Sequence, residues 1–227
     1  MEAKIKAVFL LPMKRNSDRV KGKNFRNFAG KPLYLWMLET AANLDFIDSV
    51  IINTDAQDLI DTSLMDIGSS KVIVRQRRAE ICGDFVSMNE IIKDDIEAVD
   101  ADVYLMSHTT NPLLCGKTIS NAFYKYLGER SNGKDSLFSV NKIQTRFYDL
   151  GGNPLNHNPS ELIRTQDLEP MYEENSCLYI FSRKSFMASS ARIGLHPLLF
   201  ETPLLESLDI DTEDDWSVAE AIAKQRS

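Results

Sequence analysis

The chain has 227 residues with 43% hydrophobic and 26% charged side chains, a balance that excludes whole-chain disorder, collagen and coiled coil. One α/β domain, or one domain with a small excursion, is the organisation this length supports. The formal net charge of −7 argues against a general nucleic-acid or anionic-membrane surface, because such partners need a dense field of lysine and arginine.

Residues 5–12 (IKAVFLLP) form a short continuous apolar run, the pattern of a central parallel strand buried on both faces. The apolar stretch 7–13 is too short to span a bilayer and is followed by Lys14 and Arg15, so neither an anchor nor a signal peptide is expected. A long loop leads to Pro32, where a helix tolerates proline, and Leu33, Trp36, Met37, Thr40, Ala41 and Leu44 recur at helical spacing. The alternation repeats with a strand at 49–53, a helix at 57–65 and a strand at 71–74. A segment opened by Ser87 presents Met88, Ile91, Ile92 and Val99 on one face, and 102–106 (DVYLM) reads as a strand. A helix at 117–127 and a strand at 136–140 follow. Strands separated by helices of this length indicate a mostly parallel sheet flanked by helices.

After residue 140 the rhythm changes. Residues 146–150 and 177–181 are strand-like, but the connecting GGNPLNHNP is rich in turn formers and suggests an arm or lid. The chain closes with a strand-like 208–211, then Thr212 as N-cap with Asp215 three residues on, opening a helix through Trp216, Ala219, Ile222 and Ala223. Cys82, Cys115 and Cys177 are widely spaced and match no zinc pattern, so a reduced, cytoplasmic setting is expected.

In an open α/β sheet, ligands bind beyond the carboxyl ends of the strands. There the first loop, 14–24 (KRNSDRVKGKN), places Lys14, Arg15, Arg19, Lys21 and Lys23 in a protein that is acidic as a whole. This reversal of sign suggests a polyanion pocket, although neither GxxxxGK[ST] nor GxGxxG is present. Asp209 and Asp211, two apart in a strand-like segment, share a face and can hold Mg²⁺ while leaving positions for phosphate and water. Arg164, Gln166 and Asp167 mix a carboxylate-binding fork with amide and acid groups, which suits a polyhydroxylated acid. His108, ending the fourth strand, is placed to touch a ligand, and no GxSxG elbow supports covalent hydrolysis.

The series LPMKRNSDRVKGKN, AGKPL, NTD, RRAEICGD, HTTNPLL, IRTQDLEPMYEENSCLYIF and SLDIDTEDDW, in this order, resembles the CMP-sialic acid synthetase (acylneuraminate cytidylyltransferase) family over nearly the whole chain. The resemblance implies one Rossmann-like nucleotidyltransferase domain spanning 1–227, with a projecting dimerisation and sugar-binding excursion at about 140–180. It implies Mg²⁺-dependent transfer of CMP from CTP to a 2-keto-3-deoxy sugar acid, by a cytoplasmic homodimer with no nucleic-acid or membrane partner. By the same resemblance Lys14 and Lys23 contact the triphosphate, and Asn24, Arg77 and Ser87 contact the nucleotide; Arg19, in the same cationic loop, is expected to help balance the charge on the departing pyrophosphate. His108, Arg164, Gln166 and Tyr179 match positions on the sugar-acid side, and Asp209 and Asp211 match the metal-holding aspartates, with Asp211 at the reaction. The first loop is also similar to that of CMP-Kdo synthetases, while QDLEPMYEEN and SLDIDTEDDW favour the sialic-acid-like branch. A catalytically silent CTP-binding homologue is the alternative of another class, since Arg15 and Asn16 replace the family's paired glycines and His108 replaces a glutamine.

Overall fold

In the computed structural model, which describes residues 4–17, 19–57 and 70–226, the opening apolar run forms β1 (Ala7–Leu10), buried along its whole length. Its alternate side chains enter two cores: Ala7 and Phe9 pack on one side of the sheet, Val8 and Leu10 on the other. Such a strand must be flanked on both edges, and it pairs in parallel with β4 (Ile47–Thr54) and with β6 (Val103–Met106), Phe9 standing opposite Val50 and Leu105. The short pair β2 (Asn27–Phe28) and β3 (Lys31–Pro32) lies in the preceding connection. With β5 (Val72–Gln76), β7 (Ser136–Ile143), β8 (Met171–Phe181) and β9 (Pro197–Glu201), the main sheet has seven strands in the order β5-β4-β1-β6-β8-β7-β9. Among its neighbouring pairs only those made by β8, with β6 and with β7, are antiparallel.

Helices cover both faces. Helix α1 (Leu33–Ala42) starts directly after Pro32, whose ring fits a helix start, and α3 (Gly116–Glu129) packs on the same face through Ile119, Ala122 and Phe123. Helix α2 (Met88–Ala98) and α4 (Arg183–Ser189) cover the other face with Ile92, Ile96 and Phe186. Helix α5 (Glu213–Arg226) closes over the β2–β3 connection, where Trp216 meets Phe28 edge-on at 5.2 Å. Its start is the expected capping box: Thr212 Oγ1 accepts from the Asp215 N–H at 3.2 Å, and Asp215 Oδ2 accepts from the Thr212 N–H at 2.8 Å. Among the described residues no helix is long and apolar enough to cross a membrane.

Two expected strands are absent, and the expected helix at 57–65 falls almost wholly outside the described residues. Residues 146–150 make a single bridge, Tyr148 with Pro154, held by the Asp149–Asn153 and Leu155–Phe147 backbone bonds, and beyond it a side chain ends the pairing: Asn156 accepts from the Phe147 N–H and donates to the Thr145 carbonyl. Residues 208–211 also lack a ladder partner. There the Ile210 N–H donates to the Thr110 carbonyl at 2.9 Å, and the Ile210 carbonyl is taken by Lys23 Nζ at 2.6 Å.

Arg77 differs from its expected nucleotide contact. Its guanidinium is buried and donates to the Met13 carbonyl at 3.1 Å, the Asn53 carbonyl at 2.8 Å and Asn53 Oδ1 at 3.0 Å. Asn53 donates in turn to Asp95 at 2.8 Å, and burial pushes the Asp95 carboxyl up to about 6 against the pull of Asn53 and Arg75. Arg77 thus fixes the chain where it leaves β1. Arg77→Met is expected to lower the unfolding free energy by about 3 kcal/mol, because it leaves buried acceptors without donors. Urea denaturation checks this, and an unchanged midpoint would remove the structural assignment.

Candidate active site

The chain proceeds from β1 outward through β4 to β5, and returns to the opposite edge of β1 with β6, so the loops after β1 and β6 diverge at the carboxyl edge. Such a reversal opens a crevice. A cavity of about 490 Å³ lies there, lined by Lys14, Arg19, Lys23 and Asn24 from the first loop, His108, Thr109 and Thr110 after β6, and Asp209 and Asp211. Asp84, Met88 and Ser176 complete other parts of the wall.

Gly22 has φ 62°, and its carbonyl accepts from the Phe25 and Arg26 N–H groups, turning the first loop back toward the cavity. Asn24 then locks it: Nδ2 donates to the Lys14 carbonyl at 2.7 Å, and Oδ1 accepts from Thr109 Oγ1 at 2.7 Å. Its amide therefore joins the loops after β1 and β6. The cations are matched by carboxylates. Lys14 pairs with Asp84 at 2.9 Å, Arg19 with Asp211 at 2.9 Å, and Lys23 lies 3.4 Å from the same Asp211 oxygen.

Asp209 and Asp211 flank the buried Ile210, so both reach the cavity although the segment is not a strand. Asp209 Oδ1 is buried and has no hydrogen-bond partner among the described residues. Burial raises the Asp209 pKa, with the charge of Asp211 adding to the rise, while a Thr110 hydrogen bond, Lys23 and Arg19 oppose it. A divalent cation would relieve both the orphaned oxygen and the repulsion between the two carboxylates. No group of three or more His, Cys, Asp or Glu is placed for a metal among the described residues. Two carboxylates with phosphate and water completing the shell are a donor set that fits Mg²⁺.

His108 lines the cavity as expected, whereas Ser87, Tyr179, Arg164 and Gln166 stand outside it. Ser87 is the N-cap of α2, its Oγ accepting from the Asn89 N–H at 3.3 Å. Tyr179 is fully buried behind the wall, donating to Glu174 and lying 3.2 Å from Ser176 Oγ. Arg164 is on the exposed excursion, where it forks onto Asp167 at 2.7 and 3.0 Å, and Gln166 is exposed beside it. Asp84 and Ser176 were missed. Asp84 sits inside the quoted RRAEICGD, and its signal was an acid facing a cationic loop. Ser176 carries none, because its place depends on the irregular β7–β8 register and its own φ of 59°.

The family model for cytidylyltransferase matches residues 8–226. The chain is 26% identical to the pseudaminic acid cytidylyltransferase of Campylobacter jejuni, covering 97% of both chains. It is 27% identical to the CMP-N,N'-diacetyllegionaminic acid synthase of Legionella pneumophila, covering 94% of both. With N-acylneuraminate cytidylyltransferase B of Danio rerio it shares 29% identity over 93% of this chain and 50% of that one. Among solved structures, a CMP:2-keto-3-deoxy-manno-octonic acid synthetase complexed with CTP aligns with a TM-score of 0.68 at 15% identity, over 98% of this chain and 100% of that one. The fold is accordingly the Rossmann-like, mostly parallel nucleotidyltransferase architecture.

Enclosure by the protein, with the positive charges of Arg192 and Lys23, holds the His108 imidazole at about 4, while Asp211 pulls the other way. The ring is therefore neutral near pH 7. Because the folded value lies below the ordinary 6.5, the unfolded chain takes up the proton first as the solution is acidified. Stability from neutral His108 is complete above pH 6.5 and is lost as the pH falls toward 4. Denaturation at paired pH values should show His108→Gln losing less stability over that window, by up to about 3 kcal/mol. Equal losses in both proteins would contradict the neutral ring.

Proposed function

The chain belongs to the cytidylyltransferase family, and from that premise we propose that it activates a 2-keto-3-deoxy sugar acid of the sialic-acid-like, nonulosonate type with CTP, giving the CMP-sugar and pyrophosphate. The observation that carries this reading is the meeting of Lys14, Arg19 and Lys23 with Asp209 and Asp211 in one cavity. The activities named for the Campylobacter jejuni and Legionella pneumophila relatives support the class of acid.

In the reaction the anomeric 2-hydroxyl oxygen bonds to the α-phosphorus of CTP as the bond from that phosphorus to pyrophosphate breaks, and the hydroxyl proton passes to solvent. The protein's part is alignment and charge neutralisation. Lys14, Arg19 and Lys23 exchange their carboxylate partners for phosphate oxygens and balance the charge on the departing pyrophosphate. Asp209 and Asp211 would hold Mg²⁺, which when bound polarises phosphate oxygens. Asn24 keeps the first loop against the loop after β6, so the cations stay in register with the aspartates. Neutral His108 offers the acid a hydrogen bond without adding charge.

The projecting segment exposes Leu150, Leu155, Leu162 and Ile163, which favours a homodimer through this arm. Arg164 and Gln166 then meet a sugar acid from a second copy. Free Cys82, Cys115 and Cys177 are consistent with work in the cytoplasm.

Pyrophosphate release from CTP and Mg²⁺ is the test, with N-acetylneuraminate, its deaminated form, legionaminate, pseudaminate and Kdo as acids. Release with a nonulosonate is expected. Release with Kdo alone would move the substrate to the octulosonate branch, and CTP binding without release from any acid would favour the silent homologue. Asp211→Asn is expected to reduce turnover at least about 100-fold while keeping the wild-type unfolding midpoint. Wild-type turnover in that variant would remove Asp211 from the reaction.

A further inference from the structure

Met88, His108 and Ser176 form a stretch of the cavity wall that carries neither the loop cations nor the aspartates. The Arg192–Glu174 charge pair adjoins Ser176 of this wall through Tyr179, and the transfer chemistry makes no use of it. The Arg192 guanidinium lies over the Tyr179 ring, 3.9 Å from its centroid, and Tyr179 is 3.2 Å from Ser176 Oγ. The Arg192 backbone N–H donates to Asn89 Oδ1 at 3.3 Å, which fixes the chain there beside the start of α2. The positive charge of Arg192 also bears on His108.

Arg192 is the underused member of this group. A guanidinium has five N–H donors in a rigid fork. The side chain is 20% exposed, and among the described residues its one hydrogen bond is a long 3.4 Å contact to Glu174 Oε1. Stacking on Tyr179 fixes the plane of the fork, so its remaining donors keep a set direction. Glu174, already accepting from Tyr179, places a carboxylate beside it. The pair is neutral overall, and it offers a donor set and an acceptor side by side. A bare anion would meet the Glu174 charge, whereas a hydroxyl or an amide can accept from Arg192 and donate to Glu174 at once.

The reacting anomeric carbon and its carboxylate must lie by the α-phosphate, near the loop cations and Asp211. A group reached by Arg192 therefore belongs to another part of the sugar. We propose that Arg192, paired with Glu174, determines specificity for the acid by binding a neutral polar substituent, an acylamido or hydroxyl group, remote from the anomeric carbon. This rests on the sugar-acid reading above and extends it to the substituents the site selects.

The test measures KM for the acid at saturating CTP, and KM for CTP at saturating acid, using whichever acid of the panel the wild type turns over fastest. Arg192→Met is expected to raise KM for the acid about 10- to 100-fold, leaving kcat and KM for CTP within about threefold. Arg192→Lys, which keeps the charge but not the fork, recovers part of that loss. Glu174→Gln is expected to raise KM for the acid as well, and the double variant to lose less than the two effects combined. Thermal unfolding of each variant separates lost contact from lost fold, and Arg192→Lys and Glu174→Gln serve if Arg192→Met does not fold. An unshifted KM for the acid, or equal rises in both KM values with a fallen kcat, overturns the inference while the parent reading stands. A wild type that releases no pyrophosphate with any acid overturns both.

Discussion

β1 is buried on both faces and paired on both edges, so the chain can turn toward solvent only where the strand ends. Because β4 takes one edge and β6 the other, the loops that follow β1 and β6 part from each other there. The crevice between them is the cavity, and the residues around it depend on that reversal. Two buried amides keep the arrangement in place. Asn24 ties the loop after β1 to Thr109 after β6, and Asn53 receives Arg77, which holds the Met13 carbonyl.

The same geometry concentrates charge against the trend of the molecule. A chain with net charge −7 gathers Lys14, Arg19 and Lys23 at one loop, and the fold answers with Asp84 and Asp211. These pairs are partly exposed, and ion pairs of that kind add little to stability. In the proposed reaction their value lies in availability: a triphosphate would present oxygens that replace the carboxylates, freeing the aspartate end for a cation. His108 stays neutral among these charges because enclosure and two nearby cations outweigh Asp211. Ser176 and Met88, which line the same cavity, add no charge, and the Arg192–Glu174 pair that adjoins Ser176 through Tyr179 is neutral overall.

Some residues chosen from the sequence serve the site at one remove. Arg77, Ser87 and Tyr179 lie in the right segments, yet their polar groups are turned to the backbone or to buried neighbours. A motif carries residue type and spacing, and Lys23, Asp209 and His108 could be found from these. Direction was the missing quantity. Arg192 shows the converse, since an arginine after a short helix has no local mark, and only its stacking on Tyr179 and the one long side-chain hydrogen bond it makes among the described residues single it out.

The sequence by itself determined the alternation of strands and helices, the double burial of β1, the capping box at Thr212 and the cationic loop facing an Asp-x-Asp. Each is written in local periodicity or in a spacing of a few residues, and local backbone preference and hydrophobic burial enforce such patterns directly. Only the tertiary structure decided that β8 runs antiparallel beside β6, that residues 208–211 meet Lys23 and Thr110 instead of a ladder, and that Arg164 projects on an arm while Arg192 stacks on Tyr179. Those outcomes join residues far apart in the chain. They follow from which buried donors and acceptors could find partners once the sheet had formed, a competition that no local stretch of sequence records.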